Sequence, residues 1–377
     1  MKIGILTLPL NTNYGGILQA YALQTVLERM GHKVDVFDTP NNIPLPPLWK
    51  LPLYYTKRTL LKCLGKSQRI FAEQYQNKIR PIIASNIQTF VDTHIHRRVI
   101  NSFKEIKENE YDAIVVGSDQ VWRPIYFVMW NAPRIEDAYL SFSEGWNIKR
   151  IAYAASFGTS EWEYDKKQTE KCKGLIKNFD AISVREESGS TLISQKFNAH
   201  AEHVLDPTML LEASDYETLY KKTGANERQH GYLLKYVLDE NEEINGIVDR
   251  TASGKHLTIF SVNNPYEYDE SRPLKDRIKP SVETWLQGFH NAEFVVTDSF
   301  HACVFSIIFK KQFVVIGNKS RGMARFESLL EMFGLEHRLI DDGTDIENLR
   351  PIDYEVVYSR YDEWKDLSFK FLKSNLS

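Results

Sequence analysis

The sequence contains little cysteine: three residues, Cys63, Cys172 and Cys303, among 377. Three scattered thiols are too few for a disulfide framework or a cysteine metal cluster. Their scarcity favours a reducing compartment, so we expect a cytoplasmic protein. Long apolar runs are also lacking. None approaches the roughly 20 residues of a membrane-spanning helix, and the apolar run at residues 3–8 is too short for a signal peptide.

An excess of basic residues is absent too. Lys and Arg total 47 against 50 Asp and Glu, which gives a formal net charge of -3. A general nucleic-acid binder would normally carry a strong positive excess, so nucleic acid is not an expected partner and any anion site must be local. The chain has neither the Gly-x-Gly-x-x-Gly of a Rossmann dinucleotide site nor the spacing of a P-loop.

The length and the 42% of hydrophobic residues predict two domains with a cleft between them. Apolar runs at 3–8, 113–116, 151–155 and 181–184 predict strands of a parallel α/β sheet in residues 1–206. The pattern restarts in residues 207–350, with strands near 232–237, 294–297 and 313–316. Residues 351–377 predict a helical segment that could cross back onto the first domain.

The strand at 294–297 ends in Asp298 and Ser299, both good N-cap residues, so His301 falls in the first turn of a helix. Ligands of open parallel sheets bind at this end of the strands. We therefore interpret His301 as a ligand-facing residue, although a packing histidine would show the same pattern. Asp206 precedes Pro207 and predicts a turn rather than a catalytic acid.

A basic loop follows the next strand and contains Lys319 and Arg321, with Arg325 in the helix beyond it. Three cations beside a helix N-terminus suit a phosphate or a carboxylate, although a solvated turn could look alike. Arg185 follows another buried strand and could clamp an anion bidentately, or could pair with Glu186 to hold a loop.

Two loops of the first domain supply candidate contacts for a sugar or another small molecule. Glycines let the backbone approach a ligand closely, and an indole beside polar groups is a common sugar contact, although a core tryptophan would look the same. The candidates are Asn13, Tyr14, Gly15, Asp119, Gln120, Trp122 and Arg123.

Residues 41–65 mix prolines, aromatic residues and the bases Lys50, Lys57, Arg58 and Lys62. Such a mixture could lie on an anionic membrane surface. The prolines interrupt any long interfacial helix, so an excursion packed on the domain is the favoured interpretation.

Six ordered blocks resemble the polysaccharide pyruvyl transferase family. They are NYGGILQA at 13–20, GSDQVW at 117–122, YAASFG at 153–158, SVRE at 183–186, LDPT at 205–208 and TDSFH at 297–301. The resemblance implies a GT-B-like fold of two Rossmann-like domains facing a cleft, with the acceptor on the first domain and the donor on the second. It also implies transfer of pyruvate from phosphoenolpyruvate to a sugar diol, as a ketal, in surface polysaccharide biosynthesis.

The resemblance places the family's histidine at His301, its arginine at Arg185, and a basic donor contact at Lys319 or Arg321, near Ser299 and Arg325. No metal or other cofactor is expected. The sequence departs from the family pattern at Arg123, where Asn is common, and at Ala302, where Gly is common; both could change the acceptor. A GT-B glycosyltransferase using a nucleotide sugar and a non-catalytic sugar-binding relative are the alternatives.

Overall fold

The computed structural model describes residues 1–39, 43, 45, 48–65, 69–130, 134–221, 231–317, 322–340, 344, 346 and 348–377. Its strands are Lys2–Leu6 (β1), Lys33–Asp38 (β2), Arg97–Val99 (β3), Ala113–Val116 (β4), Lys149–Ala155 (β5), Ala181–Val184 (β6), Glu202–His203 (β7), Tyr232–Tyr236 (β8), Thr258–Phe260 (β9), Phe294–Thr297 (β10), Gln312–Ile316 (β11) and Leu339–Ile340 (β12). Its α-helices are Tyr14–Arg29 (α1), Leu51–Cys63 (α2), Ala72–Ile83 (α3), Ser85–His94 (α4), Pro124–Trp130 (α5), Lys166–Leu175 (α6), Glu187–Leu192 (α7), Ala213–Lys221 (α8), Glu242–Gly254 (α9), Val282–Asn291 (α10), Phe300–Ile308 (α11), Ala324–Phe333 (α12) and Tyr354–Asn375 (α13).

The first half of the chain is built on a parallel sheet in the order β3-β2-β1-β4-β5-β6-β7. Its central strands are continuous apolar runs because helices cover both faces of a parallel sheet. All four residues of β4, for example, are buried. The strand order reverses beside β1, so the loops after β1 and β4 meet at the crevice where ligands of such sheets bind.

The second half repeats this plan with the parallel order β12-β11-β10-β8-β9. Strand β10 lies at its centre, between β11 and β8, so the loop after it also opens at a reversal of strand order. The two parallel sheets confirm the predicted α/β class and GT-B-like architecture.

Helix α13 crosses back from the second half to the first, as predicted. Near its start, Tyr354 donates from its hydroxyl to the carbonyl of Lys311. Further along, Ser368 accepts from the Leu205 backbone N–H at 3.0 Å, and the Lys149 ammonium of β5 donates to the Asn375 carbonyl at 2.9 Å. The helix therefore fastens both sheets together.

Residues 41–65 are described only in part. They contain α2, which follows a short 3-10 turn at Leu48–Lys50, and among these described residues none is buried. The segment therefore lies on the surface of the domain, where the Arg58–Glu73 ion pair of 2.7 Å holds it, which agrees with the favoured interpretation of an excursion packed on the domain. No helix among the described residues is long and apolar enough to cross a membrane.

Candidate active site

His301 lies in the first turn of α11, as the sequence predicted, directly after β10. Asp298 fixes the turn that leads to it, because its carboxylate accepts from the backbone N–H groups of Leu238 at 2.7 Å and Asp239 at 3.0 Å. The Ser299 N–H donates to the Thr297 hydroxyl at 3.0 Å. The loops after β10 and β8 thus hold each other, and His301 sits on a rigid support.

The first turn of α1 touches His301 from the other half of the molecule. A Cβ atom at Gly15 would lie 2.1 Å from the Cγ and Nδ1 atoms of the imidazole, so only glycine allows this approach. In the part of the chain that the structure describes, neither the N-cap of α1 nor that of α11 makes a side-chain capping bond. Two helix N-termini therefore converge at the imidazole, and their positive dipole ends favour an anion there.

A buried carboxylate, Asp206, faces His301 across the junction. Its Oδ2 atom lies 3.7 Å from His301 Nε2, which is ion-pair range but longer than a hydrogen bond. The same oxygen accepts from Arg185 Nη1 at 2.8 Å, while Oδ1 accepts from the backbone N–H and the hydroxyl of Thr208. Asp206 therefore links the predicted histidine to the predicted arginine.

The surroundings of Asp206 keep it ionised. Burial alone raises the pKa of a carboxyl group, but here the contact with His301 and the charge of Arg185 outweigh it and hold the pKa of Asp206 well below its ordinary value. This carboxylate, 3.7 Å from His301 Nε2, also orients the imidazole ring. The prediction of a simple turn at Asp206 was therefore incomplete, because the residue also belongs to this cluster.

Two arginines approach the same phenyl ring. The guanidinium carbons of Arg185 and Arg325 lie 4.5 and 5.4 Å from the centroid of the Phe300 ring. Burial, and then the charge of Arg185, lower the pKa of Arg325 to about 10. An anion placed near both guanidinium groups would relieve their repulsion. Arg325 thus joins Arg185 and His301 as predicted, on the side of the second half.

The remaining donor candidates divide into two groups. Ser299 is partly exposed at the start of α11, where it can meet a ligand. Lys319 and Arg321 lie outside the described residues. Beyond them, Gly322 touches the other half, since a Cβ atom there would lie 1.7 Å from the Gly158 carbonyl oxygen. The loop before α12 therefore closes over the loop after β5.

Two residues that the sequence predicted to contact the acceptor, Trp122 and Tyr14, are buried in the protein core. Trp122 is fully buried, stacks on Tyr139 with ring centroids 5.1 Å apart, and donates from its indole N–H to the Ala138 carbonyl. Tyr14 is buried against Trp285, 5.6 Å away between ring centroids, and its hydroxyl donates to the Pro280 carbonyl. Both are core residues, so the structure corrects their assignment to an acceptor surface.

Arg123 and Gln120 also hold protein contacts. Arg123 forms a salt bridge with Glu163 at 2.9 Å. Gln120 packs against Gly158, where a Cβ atom would lie 1.9 Å from the amide oxygen of Gln120. Among the described residues, neither Arg123 nor Gln120 lines the large cavity beside the His301 cluster. Their roles are to brace the loops after β4 and β5.

A cavity of about 790 Å³ opens beside this cluster, between the loops after β1 and β4, helix α3, and residues 267–277 of the second half. Its lining includes Asn13, Gly16 and Asp119 but, among the described residues, neither His301 nor Arg185. Asp119 connects the two places, because its Oδ1 atom lies 3.5 Å from Arg185 Nη2. The volume is in the range of small-molecule sites.

Sequence reasoning missed Gln19, which organises the floor of the site. Its amide nitrogen donates to the Thr7 hydroxyl and the Gly16 carbonyl at 2.8 Å each, and its amide oxygen accepts from the Ser118 N–H at 2.9 Å. The signal was an amide on an otherwise apolar helix stretch. Such a residue, when buried, must be hydrogen-bonded.

Comparison with known proteins identifies the family and the fold of the chain. The family model for polysaccharide pyruvyl transferase matches residues 13–320. A search of curated proteins gives no match. Among solved structures, Arabidopsis thaliana UGT89C1 complexed with UDP-L-rhamnose is similar with a TM-score of 0.50 and 8% identity, covering 99% of this chain and 97% of that one. Neisseria meningitidis UDP-GlcNAc 2-epimerase bound to UDP-GlcNAc has a TM-score of 0.47 and 10% identity over 100% of both chains. At 8% identity, the likeness to UGT89C1 establishes the fold alone.

Proposed function

The chain belongs to the polysaccharide pyruvyl transferase family, and on that basis we propose that it transfers the pyruvyl unit of phosphoenolpyruvate to two hydroxyls of a sugar, forming a pyruvate ketal in surface polysaccharide biosynthesis. The observation that carries the proposal is the convergence of two helix N-termini and two buried arginines around His301. Phosphoenolpyruvate carries a phosphate and a carboxylate, and this arrangement suits anions.

The proton balance of the reaction closes without another reactant. One proton reaches the methylene carbon of phosphoenolpyruvate and makes the methyl group, which leaves an oxocarbenium-like centre for attack by the first hydroxyl. The bond from carbon to the phosphate oxygen then breaks, and the second hydroxyl attacks. The two hydroxyl protons end on the methyl group and on inorganic phosphate. The proposal therefore requires a proton carrier and cations, and it needs no cofactor.

His301 is our proton carrier or phosphate ligand, and Asp206 is the group that orients it. Arg185 and Arg325, with Ser299 and the loop of Lys319 and Arg321, would hold the donor and offset charge on the departing phosphate. We place the donor on residues 207–350. Arg185 belongs to residues 1–206, so the donor would contact both halves.

The acceptor belongs, in this proposal, in the cavity that loops of residues 1–206 line together with residues 267–277. Asn13, Gly16 and Asp119 line it, and Asp119 reaches the donor cluster through Arg185. A sugar needs hydrogen-bonding groups on cavity walls, and these residues supply an amide, backbone and a carboxylate. The cytoplasm is the proposed compartment, since the few thiols favour a reducing environment.

The test is to incubate the protein with phosphoenolpyruvate and a panel of galactosides and N-acetylhexosamines, free, nucleotide-linked and lipid-linked. We expect inorganic phosphate and a ketal methyl signal in NMR spectra to appear together. His301→Gln should reduce the rate by about 10² to 10⁴-fold if the imidazole moves a proton. If it only binds phosphate, the same variant should mainly raise KM for phosphoenolpyruvate.

His337→Gln is the matched control, because His337 follows α12 and lies away from the cluster, and it should leave the rate unchanged. Thermal stabilisation by UDP-sugars, with none by phosphoenolpyruvate, would contradict the proposal and favour a glycosyltransferase. Sugar binding without phosphate release from any acceptor in the panel would instead indicate a non-catalytic protein.

A further inference from the structure

The helix α2 carries its apolar side chains on the outside of the molecule. Trp49, just before the helix, is 78% exposed, and Leu53, Leu60 and Leu64 are 71%, 60% and 75% exposed. Residues spaced by four, seven and eleven positions fall on one face of an α-helix, so these four side chains form a single stripe. In a globular protein, a surface helix normally packs such an apolar stripe against the hydrophobic core.

The opposite face of α2 holds the polar contacts with the protein. Arg58 forms two hydrogen bonds of 2.7 Å with the carboxylate of Glu73 in α3, and the Tyr55 hydroxyl accepts from the Gln74 amide at 2.6 Å. Tyr55 also packs edge-on against Phe71, with ring centroids 4.8 Å apart. These contacts fix which way the helix faces, so the outward position of the apolar stripe is a consequence of the fold.

Positive charge surrounds the stripe. Residues 48–65 contain Lys50, Lys57, Arg58 and Lys62 and no acidic residue. Arg58 is paired with Glu73, whereas in the described part of the chain no ion pair joins the three lysines to a carboxylate. Lys57 lies one turn from Leu53, and the Lys50 ammonium lies 4.6 Å from the centroid of the Trp49 ring, so both border the stripe, whereas Lys62 lies one turn from Arg58 on the opposite face. The exposed face is therefore apolar and basic at once.

We propose that α2 and its flanks, residues 48–64, dock on the surface of an anionic lipid bilayer. An interfacial helix buries an apolar face at the level of the headgroups while neighbouring lysines meet anionic lipid. A second copy of the chain is a less suitable occupant, because a two-fold interface would set Lys50 and Lys57 against their own copies. The inference concerns a binding surface and does not depend on the proposed reaction.

Helix α2 lies close to the cavity in which we place the acceptor sugar, so membrane docking bears on the identity of the acceptor. Helix α3, which holds α2, continues through Gln76, Asn77 and Arg80 along the wall of the cavity. A bilayer under α2 would therefore contact a helix that packs directly on one wall of that cavity. This step rests on the proposed function, and it favours an acceptor sugar carried on a membrane lipid.

Vesicle flotation of the full chain tests the docking surface. We expect co-flotation with vesicles of phosphatidylglycerol and phosphatidylcholine, and little with phosphatidylcholine alone. Leu53→Ser with Leu60→Ser, and separately Lys50→Glu with Lys57→Glu, should each weaken binding by at least about tenfold. Added salt should weaken the interaction of the unmodified protein, because screening acts on exposed charges.

Matched controls distinguish the surface from a general loss of hydrophobicity or charge. Val356→Ser with Leu367→Ser removes apolar residues of α13 that are 55% and 52% exposed, and Lys166→Glu with Lys167→Glu reverses two exposed charges of α6. Both pairs should leave flotation unchanged. A blue shift of tryptophan fluorescence on adding vesicles, lost in Trp49→Phe, would locate the contact.

Equal binding to neutral vesicles, or flotation unaffected by either α2 pair, would overturn the proposal. Sedimentation that showed a dimer dissociating in the leucine variant would assign the stripe to a second copy instead. Transfer to a soluble acceptor should survive in all α2 variants. Failure of docking and failure of the proposed reaction would therefore be separate results.

Discussion

Asp206 shows what single residues reveal in a sequence and what they conceal. Its pairing with Pro207 correctly indicated a turn, because Oδ1 caps the short helix at residues 207–210. The other oxygen meets Arg185 and His301, which lie 21 and 95 positions away in the chain. Contacts between residues this far apart in the chain leave no local pattern, so the sequence pointed to the histidine and the arginine but not to the carboxylate between them.

Replacing Asp206 with Asn should destabilise the fold and disturb His301. The change leaves the Arg185 guanidinium buried without its anionic partner, which costs about 3 to 5 kcal/mol. The folded state keeps the pKa of Asp206 below its ordinary 3.8, so its contribution is complete above that pH and is lost as the pH falls below it. Urea unfolding at pH 6 and pH 3 should therefore show a smaller acid-induced loss in the variant.

The exposed carboxylate of Asp276 provides the control for this experiment. Asp276→Asn should retain the stability of the unmodified protein at both pH values, because its side chain is exposed. An Asp206→Asn protein with unchanged stability and the same acid dependence would mean that the cluster contributes nothing to folding. Activity measured on the same samples would report separately on the orientation of the imidazole.

At the scale of elements, periodicity was most informative where strands are buried on both sides. Continuous apolar runs identified β4, β6 and β10 with their bounds, since a parallel sheet leaves no polar face to blur the pattern. Helix α2 was not recognised because its apolar stripe faces outward, which contradicts the usual interpretation of amphipathic spacing. Trp122 shows the same limit, because stacking on Tyr139 cannot be deduced from its neighbours in the chain.

The contact between the loops after β5 and before α12 gives a prediction at this scale. Gly322 and Gly145 both have positive φ angles, 95° and 81°, but only at Gly322 would a Cβ atom meet another backbone, that of Gly158. Gly145→Ala should therefore cost only the conformational strain, about 1 to 2 kcal/mol. Gly322→Ala should cost more, because the added Cβ atom must displace the Gly158 carbonyl, and under the proposed function it should also raise KM for phosphoenolpyruvate.

Thermal unfolding and steady-state kinetics of the two glycine variants check this prediction. Both substitutions impose the strain of a positive φ angle, so this cost cancels when the two variants are compared. The remaining difference in the free energy of unfolding comes from the contact between Gly322 and Gly158. If both variants lost the same stability and kept the same KM, the loops would have no role in holding the donor.

For the whole molecule, one hydrophobic cluster spans both halves, and each half also has a smaller cluster of its own. Tyr14 of the first half stacks on Trp285 of the second, and the same cluster of buried residues continues into α13 through Phe371 and Leu372. The sequence predicted two α/β domains and a returning helix, because each half repeats the strand and helix pattern. It could not show how far their cores merge, since that depends on which faces meet.

Phe371→Ala should test whether α13 makes the molecule unfold as one unit. Phe371 is 3% exposed, and its ring centroid lies 6.1 Å from that of Tyr153 in β5. Leu367 on the same helix is 52% exposed. The buried truncation should cost about 3 to 5 kcal/mol, while Leu367→Ala should change little. Because the cluster that contains Phe371 spans both halves, hydrogen exchange in Phe371→Ala should accelerate in both β5 and β10. Acceleration confined to β5 would show that the second half keeps its stability independently, and that α13 fastens the halves without making them one cooperative unit.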